Sequence, residues 1–241
     1  MVAIFVVLTI LGFLMVDYIV QRIQARHSKS NSGQGEQVQV NAKFAPILSA
    51  DSIAVPSSLF FHRGHTWIRF TSPNHARIGL DDFAQKVLGQ IEGIQFPRIG
   101  ETLRQGDPLF MVKVGQHKLF LPAPSDGVVT HLNTELAADP SSLHSNPYEA
   151  GWVCEVKPEN ISKNIRELLS GEDAVRWELH ELNKLQYFLN DRPGELATPS
   201  AGEFSLGRSW SDENHRPVMN EFSKSFFALD MDRTEPQTEV S

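Results

Sequence analysis

Cysteine is almost absent: Cys154 stands alone in 241 residues. A single thiol excludes an intramolecular disulfide and a cysteine-rich metal site, and it suits a reducing compartment. An excess of positive charge is also missing. With 22 basic and 29 acidic residues the formal net charge is −7. This argues against general nucleic-acid binding, which needs a basic surface to displace counterions. No H-E-x-x-H pair, P-loop or dinucleotide-binding glycine pattern occurs. The nine histidines are scattered. His117, His131 and His144 are weak ligand candidates, and no metal site is expected. Lys and Arg are absent ahead of the first apolar run, where a cleaved signal peptide carries its basic region.

That run is the first positive signal. "MVAIFVVLTILGFLMVDYIV" is apolar from Met1 to Val16 apart from Thr9 and Gly12, and Asp17 sits near its end. About 19 residues at 1.5 Å rise give roughly 28 Å, close to the thickness of a bilayer core. Arg22, Arg26 and Lys29 follow. The positive-inside rule keeps that flank cytoplasmic. The expectation is an uncleaved transmembrane anchor over residues 1–21 in the inner membrane. The bulk of the chain then lies on the cytoplasmic side. A polar juxtamembrane segment and linker, rich in Ser, Gly and Gln, occupies residues 22–57.

From Ser58 the texture becomes that of strands. "LFFHRGHTWIRF" has aromatic and β-branched runs flanking a turn at "HRGH", and "HARIGL" is a further strand. "DDFAQKVLGQI" reads as a short helix capped by Asp81 or Asp82, with Phe83, Val87 and Leu88 at helical spacing. Short strands then alternate with Pro and Gly turns through "PAPSDG" to an alternating strand, "GWVCEVKP". Cys154 reads there as a small buried hydrophobe. The pattern predicts a compact, mostly β domain over residues 58–158.

Two helices are expected over residues 159–191. "NISKNIRELLS" begins at Asn160 or Ser162, carries Ile161, Ile165, Leu168 and Leu169 on one stripe, and ends at Gly171. The next places Val175, Leu179, Leu182, Leu185 and Leu189 on one face, packed on its own domain or docked on a partner. Residues 192–241 are polar, lack a sustained period and predict a mostly disordered tail. Within it, "SKSFFALDMD" is a candidate binding motif.

Several segments, in order, carry a family likeness. They are "HTWIRF", "ARIGLDDFAQKVLGQIEGIQFPRIGETLRQGD", "PAPSDGVVTHLN" and "NPYEAGWVCEVKP". The chain resembles the H protein of the glycine cleavage system, a relative of lipoyl and biotinyl carrier domains, from about Phe60 to about Leu182. The resemblance implies a flattened antiparallel β-sandwich, a barrel-sandwich hybrid, with C-terminal α-helices. It also implies a lipoyl-lysine at the tip of a protruding hairpin.

At that position this chain has no lysine. Nineteen residues past Pro97 and eleven before Gly127, both counts land on Gln116. A carboxamide is neutral and cannot be acylated as an amine is. The family's E-S-x-K becomes Lys113, Val114, Gly115 and Gln116. The serine and glutamate around H-E-W, and the aspartate four after the lysine, hold the loaded amine in the family. Their positions here are Gly64, Thr66 and Phe120. A two-residue turn at Gly115–Gln116 would pair Val114 with His117 and set Lys113 opposite Lys118. Lys113, Gly115, Gln116, His117 and Lys118 are thus the candidate partner-contact hairpin. Two solvated, splayed lysines are the plainer reading. Lys118 is the fallback attachment point if the register slips by two.

The expected function is that of a membrane-anchored, non-lipoylated, non-catalytic scaffold for an unknown, membrane-associated protein partner, with no cofactor. One alternative is an H-protein shuttle carrying an aminomethyl-lipoyl group, with Lys118 as the fallback attachment point. Another is an accessory subunit of a membrane redox complex.

Overall fold

The computed structural model describes residues 52–191 and 216–227. The expected anchor over residues 1–21 lies outside them, as do most of the linker and most of the tail. Among the described residues no helix is long and apolar enough to cross a membrane.

Nine short strands run through the described domain. They are β1 (Phe60–His62), β2 (Thr66–Ser72), β3 (His75–Leu80), β4 (Gly93–Gln95), β5 (Thr102–Leu103), β6 (Pro108–Val114), β7 (His117–Pro122), β8 (Gly127–Leu132) and β9 (Trp152–Pro158). The helices are α1 (Asp82–Leu88), α2 (Glu135–Ala138), α3 (Ser141–Ser145), α4 (Ile161–Asn164), α5 (Gly171–Asn190) and α6 (Arg216–Phe227). Six strands form one antiparallel sheet in the order β1-β2-β3-β9-β8-β5, and β4-β6-β7 form a second. Ile68, Ile78, Val129, Val153 and Val156 of the larger sheet share one core with Val112, Leu119 and Leu121 of the smaller. Antiparallel sheets with C-terminal helices fit an H-protein-like β-sandwich.

Alternation explains the strands. Along β9, Cys154 and Val156 are buried while Glu155 is half-buried and Lys157 exposed; Val153, at a register shift against β3, is buried too. Cys154 is fully buried, and burial pushes its thiol far above the usual range, so it is a packing residue. Helix α1 starts where Asp81 caps it: the Asp81 carboxylate accepts from the Ala84 amide at 2.8 Å.

Two expected helices differ from their sequence pattern. The first stops after one turn at Asn164 and continues as a 3₁₀ turn over Ile165–Glu167. Leu169 then leaves to bridge with Phe61, its amide donating to the Phe61 carbonyl at 2.9 Å. A tertiary strand contact outcompetes the helical stripe there. Gly171 opens α5 instead of closing the first helix. In α5 the buried side chains are Ala174, Trp177, Glu178, Glu181 and Leu185. Of the expected apolar face, Leu185 is buried and Leu182 and Leu189 are half-buried, but Val175 and Leu179 are 43% and 38% exposed. The helix is turned so that two carboxylates face inward.

In the expected disordered tail, Arg216–Phe227 is a helix, with Met219, Phe222, Phe226 and Phe227 buried. The first half of the candidate motif "SKSFFALDMD" thus packs on the domain.

One polar network fixes the strand entry at Gly127. Buried Asn164 accepts at Oδ1 from the Asp126 amide and the Ser125 hydroxyl, each at 3.2 Å. Its amide nitrogen donates to Gln105 Oε1 at 2.9 Å. Removing that side chain strands buried donors and acceptors. Asn164→Ala is expected to destabilise the domain by about 1–3 kcal/mol in urea titration. An unchanged midpoint would mean that solvent replaces the network at no cost.

Candidate functional site

The β6–β7 hairpin has the expected register. Val114 faces His117, Lys113 faces Lys118, and Gly115–Gln116 makes the turn. Gly115 has φ 56°, a left-handed conformation that glycine adopts without strain. Gln116 is exposed at the tip. His117 turns inward and is only 5% exposed, so it does not extend a basic surface between the lysines. Burial lowers its tendency to protonate, and the Arg216 charge adds to that. Lys113 Nζ lies 3.2 Å from Glu92 Oε2, so one tip cation is partly neutralised. Gly115 is half-buried and Lys118 exposed.

The second cluster of singled-out positions lies where β2 begins. Thr66 is fully buried and spends its hydroxyl on the Pro122 carbonyl, donating at 3.0 Å. Gly64 has no room for a side chain. An added Cβ would meet Pro122 Cγ at 2.4 Å and the Phe227 carbonyl oxygen at 3.0 Å. Phe120, on β7, is half-buried. None of the three positions offers a carboxylate. The space beside Gly64 is instead closed by the C-terminal end of α6.

Helix α6 lies against β7 and is fastened by aromatics. Phe226 stacks on Phe83 of α1 at 6.0 Å and on Phe222 at 4.5 Å, while Phe188 of α5 meets Phe222 edge-on at 5.4 Å. Lys184 donates to the Ser225 carbonyl at 2.5 Å and sits over the Phe226 ring at 4.4 Å. A free helix of about 12 residues is marginal in water, so this packing is what holds α6 helical. Gly64→Ser is expected to cost about 1–3 kcal/mol by overpacking against Pro122 and Phe227. Urea denaturation reads the loss. Full stability of the variant would show that the end of α6 yields freely.

At the same place His65 sits in a polar pocket that sequence reading did not assemble. Its φ of 60° is unusual for a residue with a side chain. Its backbone carbonyl accepts from the Asp81 amide at 3.1 Å, and its Nδ1 lies 2.8 Å from Asp81 Oδ2. The ring is stacked between Phe83 at 4.5 Å and Trp177 at 4.8 Å, with Phe227 edge-on at 5.6 Å. Nε2 lies 3.9 Å from Glu181 Oε2, and Glu178 is buried nearby.

The electrostatics follow from these neighbours. Burial opposes the charge on His65, but the Asp81 carboxylate, aided by Glu181 and Glu178, overcomes it and raises the imidazole to about 10. Burial, then the Asp81 charge, pushes Glu178 up to about 9. Glu181 is held low: burial opposes its charge, but His65 and Lys184 prevail. Both raised groups favour the protonated form in the fold. Their stabilisation is complete below the unfolded values, 6.5 for His65 and 4.5 for Glu178, and is lost as pH rises through about 10 and about 9. His62, lowered to about 4 chiefly by burial, and Glu181 complete their changes at lower pH. In metal-free buffer the urea midpoint should therefore fall between pH 7 and pH 10, with a smaller fall in Glu178→Gln. A midpoint that rises over that range would contradict this charge assignment.

Comparison with known proteins agrees with the architecture. The family described as Glycine cleavage H-protein matches residues 59–181. The probable glycine cleavage system H protein of Pyrococcus furiosus is 30% identical over 126 residues, covering 52% of this chain and 93% of that protein. The glycine cleavage system H protein of Mycobacterium avium is 35% identical over 130 residues, covering 53% of this chain and 98% of that one. A solved glycine cleavage system H protein from Mycobacterium marinum is 26% identical, covers 55% of this chain and 99% of its own, and gives a TM-score of 0.46. The family match ends before α6, which is an element outside it. With the match spanning half of its length, the chain belongs to the glycine cleavage H-protein family.

Proposed function

We propose that this chain is a non-catalytic member of its family that works by binding and carries no lipoyl group. The observation that carries the reading is the β6–β7 turn. Its exposed side chain is Gln116, a carboxamide with no amine to acylate. The nearest lysines, Lys113 and Lys118, form the second residue pair below the turn.

Two further features support the same reading. A cationic cargo favours carboxylates around it. At Gly64, Thr66 and Phe120 this chain offers none, and the end of α6 packs where Gly64 leaves space. A carrier whose cleft must receive a moving group gains nothing from filling that cleft with its own helix. In this proposal residues 1–21 anchor the domain in the inner membrane. The domain then meets a membrane-associated protein on the cytoplasmic side, through the hairpin at Lys113, Gln116 and Lys118. A subunit of a membrane redox complex is one such partner, and copurification in mild detergent identifies it.

The relatives' names favour a second reading, a shuttle in glycine cleavage. In that case the group would be attached at Lys118, because the turn itself lacks a lysine. Intact-mass measurement on the protein from its own host separates the two. The expected result is the unmodified mass. A lipoyl adduct mapped by peptide fragmentation to Lys118 or Lys113 overturns the cargo-free reading and establishes the shuttle.

A further inference from the structure

Helix α5 buries side chains that an ordinary core helix would expose. Val175 and Leu179 face solvent, while Glu178 and Glu181 are 2% and 6% exposed. Burying a carboxylate without a partner costs far more than exposing an aliphatic group. Yet both oxygens of Glu178 lack a hydrogen-bond partner among the described residues, as does Nε2 of His65. His65 itself is fully buried and held in a left-handed conformation. A rotation of α5 that brings two carboxyl groups inward and leaves both oxygens of Glu178 without a donor is poorly explained by packing alone. What the Glu178 oxygens lack is a partner.

Three donors from three separate elements converge here. His65 comes from the β1–β2 turn, Asp81 from the β3–α1 junction and Glu178 from α5. One ligand atom from each lies within 4.8 Å of the other two. We propose that His65, Asp81 and Glu178 form a binding site for a divalent transition-metal ion of the Zn²⁺ or Mn²⁺ class. Imidazole with two carboxylates is a donor set that borderline ions accept. Ca²⁺ and Mg²⁺ prefer more oxygens or retained waters. Asp81 and Glu178, as carboxylates, offset the double charge of the ion, and His65 binds it as the neutral ring.

The surroundings match those of a metal site. A ligating histidine is oriented by a carboxylate at its other nitrogen, and ligating carboxylates are themselves hydrogen-bonded. An ion bound through Nδ1 displaces the proton shared with Asp81 and leaves Nε2 facing Glu181, 3.9 Å away and not hydrogen-bonded to it. Lys184 holds Glu181 at 3.0 Å. Asp81 keeps Oδ1 on the Ala84 amide while Oδ2 faces the imidazole. Phe83 and Trp177 clamp the ring from both faces, and Phe227 closes the third side. Water is thereby excluded, which strengthens the attraction between ion and carboxylates. The site and the seating of α6 are coupled through Phe227. This inference does not rest on whether the hairpin is lipoylated.

The test uses the full chain in detergent, unfolded and refolded with Co²⁺ or Zn²⁺ because the site is closed in the folded state. Metal analysis after gel filtration is expected to give one ion per chain, and Co²⁺ to give visible d–d bands of an N/O site. Glu178→Gln keeps the shape of the side chain and removes its charge. It should lower occupancy at least tenfold while circular dichroism shows the same fold. Glu181→Gln removes a nearby carboxylate that does not touch the ring and should lower occupancy less than Glu178→Gln does. Refolded wild-type protein without stoichiometric metal overturns the proposal. So does equal metal content in wild type and Glu178→Gln, which would place the ion elsewhere.

Discussion

The ion pair between His65 and Asp81 is the constraint on which this domain depends most. It is doubly made, side chain to side chain and backbone to backbone, so it locks the β1–β2 turn against the start of α1. His65 can hold its left-handed conformation only because that lock and two stacked rings over-determine it. Asp81 serves both sides, since its other oxygen caps α1. Trp177 belongs to α5 and Phe227 to α6. The C-terminal helices are therefore built onto the same imidazole.

The last of these helices closes the space beside Gly64. The side of the domain next to Gly64 and β7 is lined by Pro122, Thr66 and the end of α6. The absence of a Cβ at Gly64 and the presence of the Phe227 carbonyl form one steric solution. Restoring a larger side chain would displace the helix.

Legibility in the sequence followed the range of the interactions. The β6–β7 register came from a period of two and a Gly-first turn, both local, and the structure reproduces it. The family likeness was equally accessible, because it rests on short motifs in order. The face of α5 was misjudged because counting aliphatic residues assumes that they seek the core. Here Glu181 holds that side through Lys184 and the nearby His65 ring, and Glu178 is buried beside it. The first C-terminal helix was drawn too long because Leu169 pairs with Phe61, more than a hundred residues away in sequence. Helix α6 was missed although Met219, Phe222 and Phe226 already stand at i, i+3 and i+7. The polar composition of the surrounding segment masked that signal.

The His65 cluster marks a different limit. Its members come from three segments with no shared spacing, so no motif search unites them, whereas the tertiary structure does so within a few ångströms. Buried polar groups of this kind are costly unless each finds a partner. A fold that could bury Val175 and Leu179 but buries Glu178 and Glu181 has accepted that cost where α1, α5 and α6 meet. Conflict between a local pattern and the tertiary arrangement concentrates where a site is being built. The inward turn of α5 therefore directs attention to the His65 pocket and away from the hairpin as the chemically distinctive part of this protein.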